Sequence, residues 1–397
     1  MTIVIDLPRN IAPALASEIE KESAFVSPYL ERLKVASEMD SVAVELSDPS
    51  QETVVREKLD RFLGLMLREL PDFETKTFIH TERRDTADFE TDVHRKMVER
   101  GWIHDYGRGR AALNGPALAL LHYIDRTATA LYHKEFAGAV ERDFPALVDA
   151  DLLWRCGYFD SHPNAVCFVG HVVEDFDAIE DFRIANADAE VVQMPPTEHI
   201  HMPGMCLNPA ACFPCYPTMT GEDIEAEGRI MTWKGRVFRF ESRNVSGLDR
   251  LWEFNVRELV FAGSDTFTAD GRRRTLPLIE ELAGRLDLEC VVETAADPFF
   301  ATISAAKSFW QLAQEVKNEI LLPLGPWSDG SMKRMACGSL NLHGNFFGDR
   351  FDFKAGGESG FTACVGLGLE RWVLAAFTQH GFDPGRWPSN VRKEIFG

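Results

Sequence analysis

Two neighbouring segments of this sequence place a cation, an aromatic ring and carboxylates at alternating positions. A predicted strand reading Gly-Arg-Val-Phe-Arg-Phe-Glu puts Arg239 and Glu241 on one face. After a turn-like stretch, a second predicted strand over 251–261 puts Phe254 and Glu258 on one face, about 13 Å apart. An antiparallel pair of such strands could present all four groups to one surface. The same alternation also fits an ordinary sheet with one solvated face.

A third segment, 361–381, brings another arginine to the start of a helix. Gly366 and Gly368 lead into the predicted helix, and Arg371 lies in its first turn. A helix N-terminus attracts phosphate, and glycine permits close approach of the backbone. The helix dipole mildly disfavours a cation at this end, unless an anionic group lies opposite Arg371.

Eight cysteines in 397 residues do not form the pattern of a disulfide scaffold. Cys212 and Cys215 have the C-x-x-C spacing of a redox motif, but no thioredoxin-like surroundings accompany them. Five others have the character of buried, small apolar side chains: Cys156, Cys167, Cys206, Cys290 and Cys337.

The charge of the chain argues against nucleic acid as its main partner. The net charge is −20 and the isoelectric point about 5.0. Residues 1–150 carry 19 basic and 27 acidic side chains, and the remainder is also acidic. Nucleic-acid binding usually requires clustered lysine and arginine. We therefore expect neither tRNA nor DNA as the principal ligand.

The start of the sequence lacks a basic region followed by a long apolar run, and no stretch of about 18 apolar residues occurs. We therefore expect no signal peptide and no membrane contact, a cytoplasmic location and reduced thiols.

Two domains are predicted, a small α/β accessory domain over 1–95 and a catalytic domain over 96–397. The periodicity of the first predicts strands at 3–7, 41–46 and 73–81, and helices at 14–36, broken before Pro28, and at 52–70. In the second, a long helix over 117–142 precedes a series of short strands.

Together, the segments around Arg239 and Arg371 resemble motifs 2 and 3 of the class II aminoacyl-tRNA synthetases. Arg-x-Glu, a loop, and a strand with Phe and a terminal Glu are similar to motif 2, and the Gly-x-Gly-x-Glu-Arg pattern that ends at Arg371 is similar to motif 3. The resemblance runs from about residue 95 to the C-terminus, and 152–163 looks like the early core of the seryl branch. It implies the class II fold, an antiparallel sheet flanked by helices, and ATP-dependent activation of an amino acid.

The match is closer to the bacterial amino acid:carrier-protein ligases, which are truncated relatives of the zinc-containing archaeal seryl-tRNA synthetases. Segments 207–217 and 338–348 and the cysteine of motif 3 carry this likeness. It implies transfer of an activated small amino acid to the phosphopantetheine thiol of a carrier protein, by a homodimer and without tRNA. Charging of tRNA or another small acceptor, or a non-catalytic paralogue, are the alternatives. The extension over 1–95 leaves the choice of partner open.

The resemblance also implies roles for residues of the nucleotide site. Arg239 would bind the α-phosphate of ATP, and Arg371 the γ-phosphate side. Phe254 would stack on adenine, and Glu241 would contact its amino edge. Further nucleotide contacts are expected from Arg250, Leu251, Ser339 and Asn341. The strand before motif 3 offers no carboxylate for Mg²⁺, so Ser339 and Asn341 are the groups there that could touch ATP or metal-bound water.

A zinc site is implied as well, held by two cysteines and the terminal glutamate of motif 2. Here these are Cys212, Glu258 and Cys364, with Cys215 as the alternative to Cys212. Thiolate and carboxylate ligands suit Zn²⁺. A remaining open position would take the substrate amine. Because this holds the amino acid close to the protein, glycine, alanine or serine are the expected substrates.

Overall fold

The computed structural model of the chain describes residues 2–11, 13–67, 76–84, 88–242, 245, 247–295, 317–327 and 330–397. The strands among them are β1 (Thr2–Asp6), β2 (Leu30–Val35), β3 (Ser41–Leu46), β4 (Thr77–Thr81), β5 (Ile103–Gly107), β6 (Arg110–Leu113), β7 (Ala139–Glu141), β8 (Leu147–Asp149), β9 (Cys167–Val172), β10 (Ile200–Leu207), β11 (Asp223–Ile224), β12 (Arg229–Phe238), β13 (Glu253–Gly263), β14 (Cys290–Thr294), β15 (Lys317–Pro326), β16 (Met332–Gly344), β17 (Lys354–Ala355), β18 (Glu358–Ser359) and β19 (Phe361–Gly368). The α-helices are α1 (Pro13–Glu22), α2 (Glu52–Met66), α3 (Val93–Glu99), α4 (Gly115–Glu135), α5 (Ala150–Arg155), α6 (Tyr158–Ser161), α7 (Phe176–Asn186), α8 (Asp265–Leu286), α9 (Phe346–Phe351), α10 (Leu369–His380) and α11 (Ser389–Phe396).

Eight strands form one large sheet in the order β4-β14-β15-β16-β19-β13-β12-β7. Every neighbouring pair is antiparallel except β7 and β12, which run parallel. Apolar side chains of α4, α8 and α10 join those of the central strands in one hydrophobic core. The antiparallel sheet flanked by helices that the sequence predicts is therefore confirmed.

The two strands of the predicted motif 2 form an antiparallel hairpin in this sheet. Val237 of β12 lies opposite Phe254 of β13. Beyond the end of β12, the Arg239 amide still donates a hydrogen bond of 2.9 Å to the Trp252 carbonyl oxygen. The alternating pattern thus locates the hairpin, although β12 begins six residues before the predicted strand.

The glycine-rich segment leads from β19 directly into α10, as predicted. Leu369, Trp372 and Phe377 of this helix are fully buried in the main core. Arg371 is carried on the first turn, where the helix leaves the sheet between β16 and β13.

The predicted long helix over 117–142 is correct in its body and wrong at its end. The helix α4 ends at Glu135, and the Ala139 amide donates to the Phe136 carbonyl oxygen in a turn. Ala139–Glu141 form β7 against β12. The edge of the sheet, which the periodicity does not reveal, ends the helix.

Residues 2–67 form a unit with its own hydrophobic core, which we call the N-terminal unit. Its sheet has the order β1-β3-β2, with α1 and α2 packed on it. The predicted helix over 14–36 is wrong in its second half, because Leu30–Val35 is a strand. A bulge between Leu30 and Arg32 shifts the register, so that Leu30 and Leu33 are both buried. That spacing of three resembles helical periodicity in the sequence.

The strand predicted at 73–81 belongs to the large sheet and not to the N-terminal unit. Residues 77–81 form β4, which pairs with β14, while 73–75 lie outside the described residues. The division near residue 95 stays a prediction. The pairing of β4 favours a division between residues 67 and 76.

Three further strands form a smaller sheet of order β8-β10-β9. Cys206 of β10 and Val148 of β8 join the second hydrophobic cluster, which also contains Cys212 and Cys364.

None of the helices in the described part of the chain combines the length and apolarity that crossing a membrane requires.

Candidate active site

The first candidate phosphate ligand, Arg239, follows β12 at the turn of the hairpin. Its Nε donates a hydrogen bond of 2.9 Å to the Pro209 carbonyl oxygen. The guanidinium carbon lies 5.5 Å from the centroid of the Phe254 ring. Arg239 and Phe254 thus face each other across the hairpin, as the alternation of the two strands predicts.

The second arginine, Arg371, is buried at the start of α10. Its Nε donates to the Asp249 carbonyl oxygen and its Nη1 to the Ala336 carbonyl oxygen, both at 2.8 Å. Burial lowers the pKa of Arg371, and the positive charges of Arg239 and Arg250 lower it further. A bound anion would offset both effects.

Among the described residues, neither Arg239 nor Arg371 forms a salt bridge to a carboxylate. Both guanidinium groups are oriented by main-chain carbonyl oxygens, which supply hydrogen bonds but no full negative charge. Two cations held in this way in one pocket favour an anionic ligand over an internal ion pair.

A small pocket lies between the hairpin and the start of α10. Five of the predicted nucleotide-site residues line it: Arg239, Glu241, Leu251, Phe254 and Arg371. The structure therefore brings these five together from two separate parts of the sequence. Phe254 and Leu251 contribute apolar groups to its lining, and the two arginines contribute positive charge.

Arg250, Ser339 and Asn341 were also predicted to contact the nucleotide, and none of them lines this pocket. Arg250 borders it, because its Nε lies 3.0 Å from Oε2 of Glu241. Asn341 points elsewhere, donating from Nδ2 to Ser339 Oγ at 3.0 Å and to Cys364 Sγ at 3.6 Å. Contact of these three residues with ATP stays a prediction.

One buried carboxylate of the pocket, that of Glu370, was not among the predicted site residues. Its two oxygens accept hydrogen bonds from the backbone and side-chain amides of Asn255, at 2.9 and 2.6 Å. Burial raises the pKa of Glu370, although these hydrogen bonds oppose the shift. The contact ties the first turn of α10 to β13, and so positions Arg371 relative to Phe254. Glu370 immediately precedes Arg371 in the sequence, and this position could have identified it as a site residue.

The three predicted zinc ligands converge beside this pocket. Cys212 precedes a short helical turn, Glu258 lies on β13 and Cys364 on β19. One ligand atom from each lies within 4.8 Å of the other two, and all three residues are buried. Within the described part of the chain, this is the one such group, and it includes Cys212 and not Cys215.

The three groups are acids that are buried close together, and each affects the pKa of its neighbours. Burial raises the pKa of Glu258 well above its usual value. The Cys364 thiol donates a hydrogen bond towards Cys212, which lowers the pKa of Cys212 and raises that of Cys364. A divalent cation would offset two of the three negative charges that these groups carry when deprotonated, and two thiolates with one carboxylate are a donor set that suits Zn²⁺.

Neighbouring residues shape the cluster. His343 Nε2 lies 3.6 Å from Cys364 Sγ, and its Nδ1 lies 2.9 Å from Thr362 Oγ1. Burial lowers the pKa of His343 to about 4. Sequence analysis missed His343, although it shares one face of β16 with Ser339 and Asn341, and alternation from Asn341 would have found it.

Gly366 lies opposite Glu258 in the β13–β19 pairing, and the close approach requires glycine. A Cβ atom there would lie 2.8 Å from Glu258 Oε2 and 3.3 Å from Val256 Cγ1. We expect Gly366→Ala to lower the free energy of unfolding by about 1–3 kcal/mol, because the buried carboxylate must move.

Chemical denaturation of the two variants Gly366→Ala and Gly284→Ala measures this. A Cβ on Gly284 in α8 meets no atom within 4 Å. The free energy of unfolding of this matched variant should therefore rise by about 0.5–1 kcal/mol, because alanine is favoured over glycine within a helix. Equal stability of Gly366→Ala and the wild type would contradict the packing described around Glu258.

Comparisons with known proteins agree on the type of protein. No protein-family model matches the chain. A type-2 serine–tRNA ligase of Methanothermobacter thermautotrophicus is 29% identical over 78% of this chain and 61% of its own length. Amino acid–[acyl-carrier-protein] ligase 1 of Bradyrhizobium diazoefficiens is 31% identical over 69% of this chain and 81% of its own length. The chain thus spans less than two thirds of the first of these relatives.

A solved structure, that of the M. kandleri seryl-tRNA synthetase (SerRS) in complex with A. aeolicus tRNASec, superposes with a TM-score of 0.69. The match covers 99% of this chain and 77% of that chain at 23% identity. This level of similarity confirms the class II synthetase fold predicted from the motifs.

Proposed function

We infer the function of this chain from its family, because it belongs to the family that includes type-2 serine–tRNA ligases and amino acid–[acyl-carrier-protein] ligases. The chain is thus a member of a ligase family with the class II fold. We propose that it uses ATP to activate a small amino acid as its adenylate, and then transfers the aminoacyl group to the phosphopantetheine thiol of a carrier protein with release of AMP.

The observation that carries this proposal is the position of Arg239, Phe254 and Arg371 around one pocket. In the activation step, a carboxylate oxygen of the amino acid attacks the α-phosphorus of ATP. The bond to the bridging oxygen of the β-phosphate breaks, and pyrophosphate leaves. Negative charge grows on the phosphoryl oxygens, and the two guanidinium groups, already oriented by carbonyl oxygens, are placed to stabilise it. Mg²⁺ is expected to accompany the nucleotide.

Zinc would be held by Cys212, Glu258 and Cys364, whose ligand atoms already lie within 4.8 Å of one another. When bound, the metal would supply a site for the neutral α-amine of the substrate. The protein's own part is to keep the cluster buried and to orient it, through Asn341 and His343 against Cys364.

The surroundings of Cys364 support a small substrate. The rings of Tyr216 and Phe347 stack with their centroids 3.8 Å apart, and the His343 ring meets Phe347 edge-on at 4.9 Å. His343 also contacts Cys364. These packed rings lie next to the cluster through His343, and we infer that they restrict the substrate side chain to that of glycine, alanine or serine.

Two acceptors are considered, a carrier protein and tRNA, because relatives of both kinds match the chain. A net charge of −20 disfavours tRNA, whose phosphates require compensating cations. Charging of tRNA is the second candidate, because relatives named as tRNA ligases match the chain over more than three quarters of its length. Dimer formation, which the family resemblance implies, also stays a prediction.

One assay separates the two acceptors. We expect a labelled small amino acid to appear on a carrier protein that bears phosphopantetheine, and not on bulk tRNA, because the chain is acidic overall. The label should be released by hydroxylamine, as expected of a thioester. Acid-precipitable radioactivity on each acceptor, offered side by side with ATP, is the measurement.

The matched control is the same carrier protein without its phosphopantetheine arm, which should remain unlabelled. Stable labelling of tRNA, with none of the carrier protein, would reverse the order of the two candidates. Adenylate formation without transfer to either would leave the activation step standing and exclude both acceptors tested.

A further inference from the structure

The N-terminal unit contacts the turn of the β12–β13 hairpin, beside the candidate ATP pocket. The rings of Phe25 and Phe240 meet edge-on with centroids 6.3 Å apart, and Phe240 packs on Trp252 at 5.1 Å. Next to this contact, Oε1 of Glu22 lies 3.8 Å from Nη2 of Arg250. A unit with a separate hydrophobic core thus reaches the hairpin that carries the pocket.

The backbone around Arg250 is held on both sides. The amide of Trp252 donates a hydrogen bond of 2.8 Å to the Gly109 carbonyl oxygen. Gly247 packs so closely on His94 that a Cβ atom there would lie 2.8 Å from its ring. The position of the Arg250 guanidinium is therefore set mainly by what its side chain contacts.

Two carboxylates share that guanidinium. Glu241, which lines the pocket, is the closer partner at 3.0 Å, and Glu22 is the more distant at 3.8 Å. Nη1 of Arg250 is buried and has no hydrogen-bond partner among the described residues. The three side chains are 15–21% exposed, so their interactions are only partly screened by solvent. A donor of Arg250 thus remains for an anion at the edge of the pocket.

We propose that Glu22 is a counter-ion of Arg250 that competes with the phosphates of ATP, so that the N-terminal unit limits the affinity of the pocket for ATP. The inference rests on the proposed ATP-dependent function. Of the two carboxylates, Glu22 is the one that a phosphate group can displace, because its distance to Arg250 is longer. A partner that moved the N-terminal unit away would raise the affinity of the pocket for ATP.

The test is the dissociation constant of ATP, measured by calorimetry on the full chain. We expect Glu22→Gln to lower it about two- to fivefold, the range of a partly exposed ion pair. The effect on AMP should be smaller, because AMP carries less negative charge. Arg250→Ala should act in the opposite direction and raise the ATP constant.

Glu31→Gln is the matched control, since Glu31 is an exposed carboxylate of the same unit on β2. It removes the same charge without the contact and should leave ATP binding unchanged. Phe25→Ala, which loosens the contact without changing charge, should shift ATP binding in the direction of Glu22→Gln. In an Arg250→Ala background, Glu22→Gln should lose most of its effect.

The two proposals fail differently. A wild-type chain that binds no ATP would overturn the proposed function. A wild-type chain that binds ATP, with a dissociation constant that Glu22→Gln leaves equal or raises, would overturn the competition alone. An equal decrease for Glu22→Gln and Glu31→Gln would also overturn it, because the effect would then reflect net charge and not the contact.

Discussion

Replacing Cys364 with alanine is expected to lower the rate of amino-acid activation by more than about 100-fold, while the chain still binds ATP. The reason is geometric. Cys364 supplies one of the three buried candidate ligand atoms that lie within 4.8 Å of one another, and it does not line the candidate ATP pocket. Loss of residues that merely support a metal ligand costs about 10–100-fold, so loss of a ligand itself should exceed that.

Three measurements check this expectation. Elemental analysis should find about one zinc per wild-type chain and much less in Cys364→Ala, as a single three-ligand site implies. Pyrophosphate exchange with glycine, alanine or serine should disappear, and the dissociation constant of ATP should change little. Cys290→Ala is the matched control, because Cys290 is equally buried but lies in β14, in the main core.

Two outcomes would show that the metal site is misassigned. One is full activity of a metal-free wild-type chain. The other is full zinc content after Cys212→Ala and Cys364→Ala are combined. Replacing Cys215 with alanine distinguishes the remaining alternative, since Cys215 is buried but does not belong to the group of three. If Cys215→Ala loses zinc and Cys212→Ala does not, then Cys215 and not Cys212 is the zinc ligand.

The hairpin of the pocket is predictable from sequence because it depends on local alternation. Val237 and Phe254 face each other as their strand periodicity requires, and Arg239 follows on the same face. The helix that carries Arg371 is equally local, since its glycines and apolar stripe lie within about twenty residues. Recognition of both motifs together then predicts the large antiparallel sheet.

The rest depends on contacts between distant parts of the chain, which no periodicity encodes. The strand Leu30–Val35 has the spacing of a helix because of its bulge, and only pairing with β3 reveals it. The sequence correctly predicts a strand at Thr77–Thr81, but it does not reveal that the strand belongs to the large sheet. Its partner there, β14, lies more than 200 residues away. In the same way, the β16–β19 register places Asn341 opposite Cys364 and not in the candidate ATP pocket.

The two arginines of the pocket and the three candidate metal ligands should contribute differently to catalysis. Arg239 and Arg371 face one pocket, and neither has a carboxylate partner among the described residues. Each guanidinium is already oriented by carbonyl oxygens of residues far from it in sequence. Such preorganised charge acts most strongly where negative charge grows in the transition state.

We therefore expect Arg239→Ala and Arg371→Ala each to lower the rate of pyrophosphate exchange by at least about tenfold, or about 1.4 kcal/mol of barrier, and up to the order of 10²–10³-fold seen when one such donor is removed. Zinc content should remain at the wild-type level in both variants, because the three ligand atoms of the cluster come from other residues. Arg229→Ala is the matched control, since Arg229 lies at the other end of β12 and pairs with Glu222 on the surface. Near-wild-type exchange in both pocket variants would contradict the assignment of the two motifs.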